Sequence, residues 1–188
     1  NVIMNYIPNI ISGLRLLFIP IFALFMVNGF YMTSLYIFFI MGISDALDGM
    51  LARYLKSESS VGAYLDAIAD KIMINVSFLV LCSMNILPYY IFFIILIRDT
   101  AVFFGILINI RFSVKFVMSP MFISKLSTFV QIILVLICLL FLNKIISLTY
   151  IQSIINVVIV TTVFSVVEYM YNFKKQFIPK NFNYTSKT

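Results

Sequence analysis

The chain has 188 residues, 63% of them hydrophobic and only 11% charged, with a mean hydropathy of +1.10 and a formal net charge of +6. A water-soluble domain of this length cannot hide so much apolar surface, which excludes the soluble globular class and leaves one polytopic membrane domain. The chain has no histidine, so any general base must be a carboxylate, a lysine or a tyrosine.

Turn signals and charges divide the chain into six apolar spans near 9–28, 31–54, 62–84, 88–110, 122–142 and 148–171. Each is long enough as a helix to cross a hydrocarbon core of about 30 Å. Asn28-Gly29 separates the first two spans, 85–88 the third and fourth, 113–120 the fourth and fifth, and Asn143-Lys144 precedes the last. The expected fold is all-α: a polytopic membrane bundle of six transmembrane helices over 1–172, followed by a basic cytoplasmic tail over 173–188. No cleavable signal is expected, because the first apolar segment carries Arg15 and lacks a small-residue cleavage site. Cys82 and Cys138 lie in separate spans, where two isolated thiols read as packing residues rather than a disulfide or metal site.

The basic residues orient the bundle. Arg53, Lys56, Arg111, Lys115, Lys125, Lys174, Lys175, Lys180 and Lys187 fall at one side, against Lys144 alone at the other. The positive-inside rule then places both termini in the cytoplasm. This bias explains the net charge without nucleic acid, and the basic tail also suits anionic lipid headgroups. Arg15, Lys71 and Arg98 remain inside spans. Ionisable groups there are functional candidates, although Arg15 and Lys71 are also placed to snorkel toward the near interface. Asp99 is a candidate partner for Arg98, although neighbours in sequence do not face each other on a helix. Glu168 is expected to pair with a tail lysine or a basic residue of the bundle.

The most unusual feature is a set of four aspartates, Asp45, Asp48, Asp66 and Asp70, among only seven acidic residues in the chain. A carboxylate at the centre of a membrane helix costs roughly 2.5–3.5 kcal/mol on insertion scales, so the set calls for a compensating ligand. Spacings of i,i+3 and i,i+4 put each pair on one helix face. A short connection makes spans two and three antiparallel neighbours, so the four carboxylates can converge in the cytoplasmic half. Hard oxygen ligands without His or Cys favour Mg²⁺, Mn²⁺ or Ca²⁺ over Zn²⁺. Gly49, Ala52, Gly62, Ala63, Ala67 and Ala69 surround the carboxylates. Small residues permit close helix packing and also leave room for a bulky ligand. With Arg53 beside them, they suggest a diphosphate-bearing substrate clamped by paired metals.

The pattern Asp45-x2-Asp48-Gly49-x2-Ala52-Arg53-x8-Gly62-x3-Asp66-x3-Asp70 resembles the complete signature of the CDP-alcohol phosphatidyltransferases. The resemblance implies that Asp45, Asp48, Asp66 and Asp70 hold two divalent cations, Mg²⁺ or Mn²⁺, and that Asp70 also deprotonates the acceptor hydroxyl. Asp45, Gly49, Ala52, Arg53 and Gly62 would form the CDP pocket. The implied reaction moves a phosphatidyl group from CDP-diacylglycerol to a glycerol hydroxyl and releases CMP, at a cytoplasm-facing site in a membrane such as the bacterial inner membrane. Members of the family commonly form homodimers, and nothing in this sequence marks an interface.

Three further segments bear on the acceptor. Pro8-Asn9-x2-Ser12-x2-Arg15 resembles the opening of the branch that makes phosphatidylglycerol phosphate and cardiolipin, and Arg98-Asp99 resembles its Arg-acidic pair. Pro120-x2-Ile123-Ser124-Lys125-x2-Thr128-x2-Gln131 resembles a segment of mitochondrial-type cardiolipin synthases. Arg15, Arg98 and Lys125 are therefore candidate ligands of an acceptor phosphate. Both phosphatidylglycerol and glycerol 3-phosphate carry one; the Ser-Lys segment favours phosphatidylglycerol, hence cardiolipin synthesis, with phosphatidylglycerophosphate synthesis as the alternative. A cation channel or transporter could also use intramembrane carboxylates, but it would not need the Gly49, Ala52, Arg53 and Gly62 spacing.

Overall fold

Six α-helices follow one another in the chain: α1 (Ile7–Val27), α2 (Tyr31–Leu55), α3 (Ser60–Ser83), α4 (Tyr89–Phe112), α5 (Phe122–Leu142) and α6 (Leu148–Phe177). The computed structural model describes residues 7–55, 60–112 and 122–177, and the side chains of 13–44, 68–104 and 123–171. No strand occurs among the described residues. The side chains of Asp45, Asp48, Gly49, Ala52, Arg53, Gly62 and Asp66 fall outside that set, although their backbones lie in α2 and α3.

The helices match the six expected spans to within a few residues, except that α6 continues past 171 to Phe177. The reason is that Asn172 to Gln176 is too polar to sit in hydrocarbon, yet contains neither Gly nor Pro to stop a helix. The expected boundary between membrane domain and tail therefore falls within a continuous helix.

Three turns share one construction. Phe30 N–H donates to Phe25 C=O at 2.9 Å and Gly29 N–H to Met26 C=O at 3.1 Å. The same double closure recurs after α3, with Ile86 to Leu81 and Asn85 to Cys82, and after α5, with Ile145 to Leu140 and Lys144 to Phe141. This is the Schellman cap, and its middle residue takes a left-handed backbone. Gly29 has φ 83°, Asn85 φ 58° and Lys144 φ 60°. An apolar contact accompanies the first cap, where the rings of Phe25 and Phe30 meet edge-on at 5.8 Å. Only Lys144 carries a side chain poorly suited to this geometry. Lys144→Gly is expected to stabilise the protein by about 0.5–1 kcal/mol, raising the apparent Tm by roughly 2 °C. A thermal-unfolding scan of the detergent-purified variant checks this.

The three caps close the α1–α2, α3–α4 and α5–α6 hairpins. α1 packs against both α2 and α3, and α5 packs closely on α6. Among the described residues, α2 and α3 meet α1 far more than they meet each other. The expected direct pairing of α2 with α3 concerns the aspartate-bearing ends, whose side chains lie outside the described residues. The aspartate-bearing ends flank residues 56–59, outside the described set.

The apolar core lies in the half of the bundle near the three caps. Phe22, Met26, Phe78, Leu81, Leu134 and Leu139 are all fully buried there. Cys82 and Cys138 are also buried and free, as packing residues should be. The outer surface is apolar too: Leu17, Leu24, Ile40, Ile97, Phe129 and Phe164 are all exposed. So much outward apolar surface suits a lipid environment rather than water. Ile123–Leu142 and Leu148–Tyr171 are each long and apolar enough to cross a membrane.

Candidate active site

Beyond the apolar half, the bundle interior becomes polar, and the change is written in the helices themselves. Asp70, Lys71 and Asn75 lie on α3, Arg98 and Asp99 on α4, Ser124, Ser127, Thr128 and Gln131 on α5, and Thr162 and Ser165 on α6. Spacings of three and four residues within α5 and within α6 keep each set on one inward face.

Two ionic clusters occupy this layer. In the first, Arg15 Nη1 donates to Asp70 Oδ1 at 3.2 Å. The Arg15 side chain is completely buried, whereas Asp70 keeps 35% of its side-chain surface exposed. Arg15 therefore does not snorkel; it supplies buried positive charge to the α3 carboxylate. In the second cluster, Asp99 accepts from Lys71 Nζ at 2.9 Å, Arg98 Nη1 at 2.7 Å and Asn75 Nδ2 at 3.0 Å. Lys71 Nζ also reaches Thr128 Oγ1 at 3.4 Å. Lys71 likewise turns inward rather than toward an interface.

The Arg98–Asp99 contact bears out Asp99 as the partner of Arg98, although neighbours in sequence do not face each other on a helix. Side chains one residue apart diverge by about 100° at their roots. Arginine is long enough to curl back across that angle, and its planar fork can hold several acceptors at once. Arg98 Nη2 donates to Ser124 C=O at 3.0 Å and Ser124 Oγ at 2.7 Å, while Nε and Nη2 both reach Ser165 Oγ. One side chain, 1% exposed, thus ties α4 to α5 and α6. A smaller network links α5 to α6 nearer the core, where Gln131 Nε2 bonds Ser127 and Thr162.

The structure thus joins Arg15 to Asp70, and Arg98 to the backbone and hydroxyl of Ser124, the residue before Lys125. The Lys125 side chain is exposed on α5 and makes no ion pair among the described residues. Glu168 buries Oε2 without a hydrogen-bond partner, and the side chains of Lys174 and Lys175 lie outside the described residues. Asn75 and Ser165 had no place among the sequence-derived candidates. Their signal was polarity inside an apolar span: Asn75 follows Lys71 by one helical turn, and Ser165 follows Thr162 by three residues.

Among the described residues, the two clusters bring Arg15, Lys71 and Arg98 against Asp70 and Asp99. Such a site can hold an anionic ligand near its cations, and Asp70, accessible and paired, can accept a proton or a metal bond. Comparison with known proteins decides which class of chemistry this serves. The family model described as CDP-alcohol phosphatidyltransferase matches residues 5–167.

The chain belongs to the CDP-alcohol phosphatidyltransferase family.

Its relatives carry the names of two activities. A rat protein named cardiolipin synthase (CMP-forming) is 31% identical over 145 residues, covering 69% of this chain and 48% of the relative. A Pseudomonas fluorescens protein named CDP-diacylglycerol--glycerol-3-phosphate 3-phosphatidyltransferase is 44% identical over 78 residues, covering 40% of each. An Aquifex aeolicus protein of the same name is 32% identical over 124 residues, covering 65% of this chain and 68% of the relative. The chain spans about half the length of the rat cardiolipin synthase it matches.

Proposed function

We propose that this chain is a six-span membrane phosphatidyltransferase with cytoplasmic termini and a cytoplasm-facing site, and that it transfers a phosphatidyl group from CDP-diacylglycerol to phosphatidylglycerol. The observation that carries the reading is the eight-position motif running from Asp45 on α2 to Asp70 on α3, inside a family match that covers most of the chain.

The donor set suits divalent cations. Asp45, Asp48, Asp66 and Asp70 offer only hard oxygen ligands, and Asp70 has surface open to a ligand. These four residues would hold two ions, Mg²⁺ or Mn²⁺, which when bound offset the charge of the diphosphate. Asp45, Gly49, Ala52, Arg53 and Gly62 would cradle the cytidine diphosphate. Asp70 would take the proton from the acceptor hydroxyl as its oxygen attacks the phosphorus bearing diacylglycerol. The bridging P–O bond then breaks, and CMP leaves with the bridging oxygen.

Arg15, Arg98 and Lys125 would bind the acceptor phosphate, with unequal freedom to do so. Lys125 is exposed. Arg98 would have to give up bonds to Ser124 or Ser165 to reach an acceptor directly. Glycerol 3-phosphate is the second reading, favoured by the names of the Pseudomonas and Aquifex relatives. The Ser124-Lys125 segment and the rat relative favour phosphatidylglycerol.

A product assay separates them. Purified protein in lipid nanodiscs receives CDP-diacylglycerol, Mn²⁺ and one acceptor at a time. The expected outcome is CMP and cardiolipin with phosphatidylglycerol, and no CMP with glycerol 3-phosphate. CMP release with glycerol 3-phosphate alone reverses the assignment, and silence with both, beside an active control enzyme, removes it.

A further inference from the structure

The proposed chemistry requires α3 to present Asp66 and Asp70 at a fixed rotation and depth. Interdigitated side chains already oppose rotation of a helix in a bundle, and polar bonds to neighbouring helices add directional anchors that fix its orientation more finely. The Arg15–Asp70 bond holds the α1 side. On the α4 side, Asp99 takes hold of α3 at two points one turn apart: Lys71 Nζ on Oδ1 and Asn75 Nδ2 on Oδ2. Two attachments along the axis fix both rotation and tilt, which a single bond cannot do. Asp99 is itself braced through Arg98, whose other bonds run to Ser124 on α5 and Ser165 on α6. Asn75 is held from both sides, because its Nδ2 also donates to Lys71 C=O at 2.9 Å.

We infer that Asp99 is a positioning residue: by holding Lys71 and Asn75 it fixes the orientation of α3, and so the geometry with which Asp66 and Asp70 receive metal. The inference rests on the reading of those aspartates as metal ligands. Asp99 acts through α3 and not on the substrate. Outer residues that orient metal ligands typically change affinity by about 10–100-fold when removed.

Two contributions must be separated. Asp99→Ala removes an anchor and also leaves Lys71 and Arg98 without their shared carboxylate, so added positive charge alone would repel a cation. Asn75→Leu removes one anchor and changes no charge. Thr162→Val removes a buried hydroxyl that bonds Ser127 and Gln131 and makes no bond to α3, so it reports general loosening of the bundle.

The full-length chain in lipid nanodiscs is titrated with Mn²⁺ alone, and free Mn²⁺ is followed by electron paramagnetic resonance, normalised to folded protein. The expected result is that Asp99→Ala weakens binding about tenfold or more. Asn75→Leu should weaken it less but in the same direction, and Thr162→Val should leave it unchanged. The inference is overturned if Asp99→Ala binds as the parent does. It is overturned equally if Asn75→Leu has no effect, which makes the Asp99 result one of charge, or if Thr162→Val weakens binding as much as the others. Absence of Mn²⁺ binding in the parent protein overturns the metal reading as well, and that failure is recognised without any variant.

Discussion

Asp70→Asn is expected to lower CMP release by about 10³-fold or more, with the protein still folded. The amide is nearly isosteric with the carboxylate, but it cannot take a proton from the acceptor hydroxyl and is a poor ligand for a hard cation. Its cost to stability is smaller. Arg15 loses its charged partner while completely buried, which argues for a penalty, yet Asp70 is 35% exposed and solvent screens the pair. The amide oxygen can still accept from Arg15 Nη1, so the loss is about 1–3 kcal/mol. Monodisperse gel filtration and an apparent Tm only a few degrees below the parent, together with loss of turnover, are the expected combination. Substantial remaining turnover would remove Asp70 as the required base. A variant that aggregates is replaced by Asp70→Glu, which keeps the charge for Arg15 and displaces the carboxylate by one methylene; it should fold normally and still lose most of its activity.

The contrast between these costs reflects what could be read from the sequence. The helices were legible because turn signals and charges bound each apolar run, and the caps at Gly29, Asn85 and Lys144 fall where Asn-Gly, Asn-Ile-Leu-Pro and Asn-Lys interrupt hydrophobic stretches. The motif on α2 and α3 was legible because its chemistry depends on residue type and spacing alone. The packing of both α2 and α3 on α1, seen among the described residues, was not, because no local signal says which further helix a hairpin partner will meet. Partnerships within the polar layer were equally hidden. Lys71 and Arg15 carry stems long enough to reach an interface, and only the placement of Asp99 and Asp70 beside them turns both heads inward. The Arg98–Asp99 partnership was the exception: it could be proposed from adjacency, and the length of the arginine side chain makes it possible across the angle between neighbouring positions. Asn75 and Ser165 form no motif and gain meaning from partners on other helices.

Arg98→Lys is expected to be the most damaging conservative change in the bundle, because the residue's work depends on shape as much as charge. Three nitrogens of Arg98 serve three helices at once: Nη1 to Asp99, Nη2 to Ser124, and Nε with Nη2 to Ser165. A lysine ammonium is a compact point charge at the end of a flexible stem and can satisfy one of these directions well. Asp99 would still be served by Lys71 and Asn75, so the new ammonium gains little there, and the Ser124 and Ser165 bonds are the ones given up. Losing charged hydrogen bonds to one buried and one half-buried hydroxyl should cost about 2–4 kcal/mol, or roughly 5–12 °C in apparent Tm for a chain of this size. The same variant separates two roles for Arg98. If Arg98 acts mainly by bracing the start of α5, where Ser124 precedes Lys125, the apparent Tm falls while the KM for acceptor in the surviving folded protein changes little. If Arg98 binds the acceptor phosphate directly, the KM rises steeply and the Tm barely moves. The burial of Arg98 and the number of bonds it already makes to its own chain favour the first outcome, and the acceptor's phosphate then depends chiefly on the exposed Lys125. Lys125→Met should accordingly raise the KM for acceptor without lowering the Tm, since its exposed side chain ties no helices together.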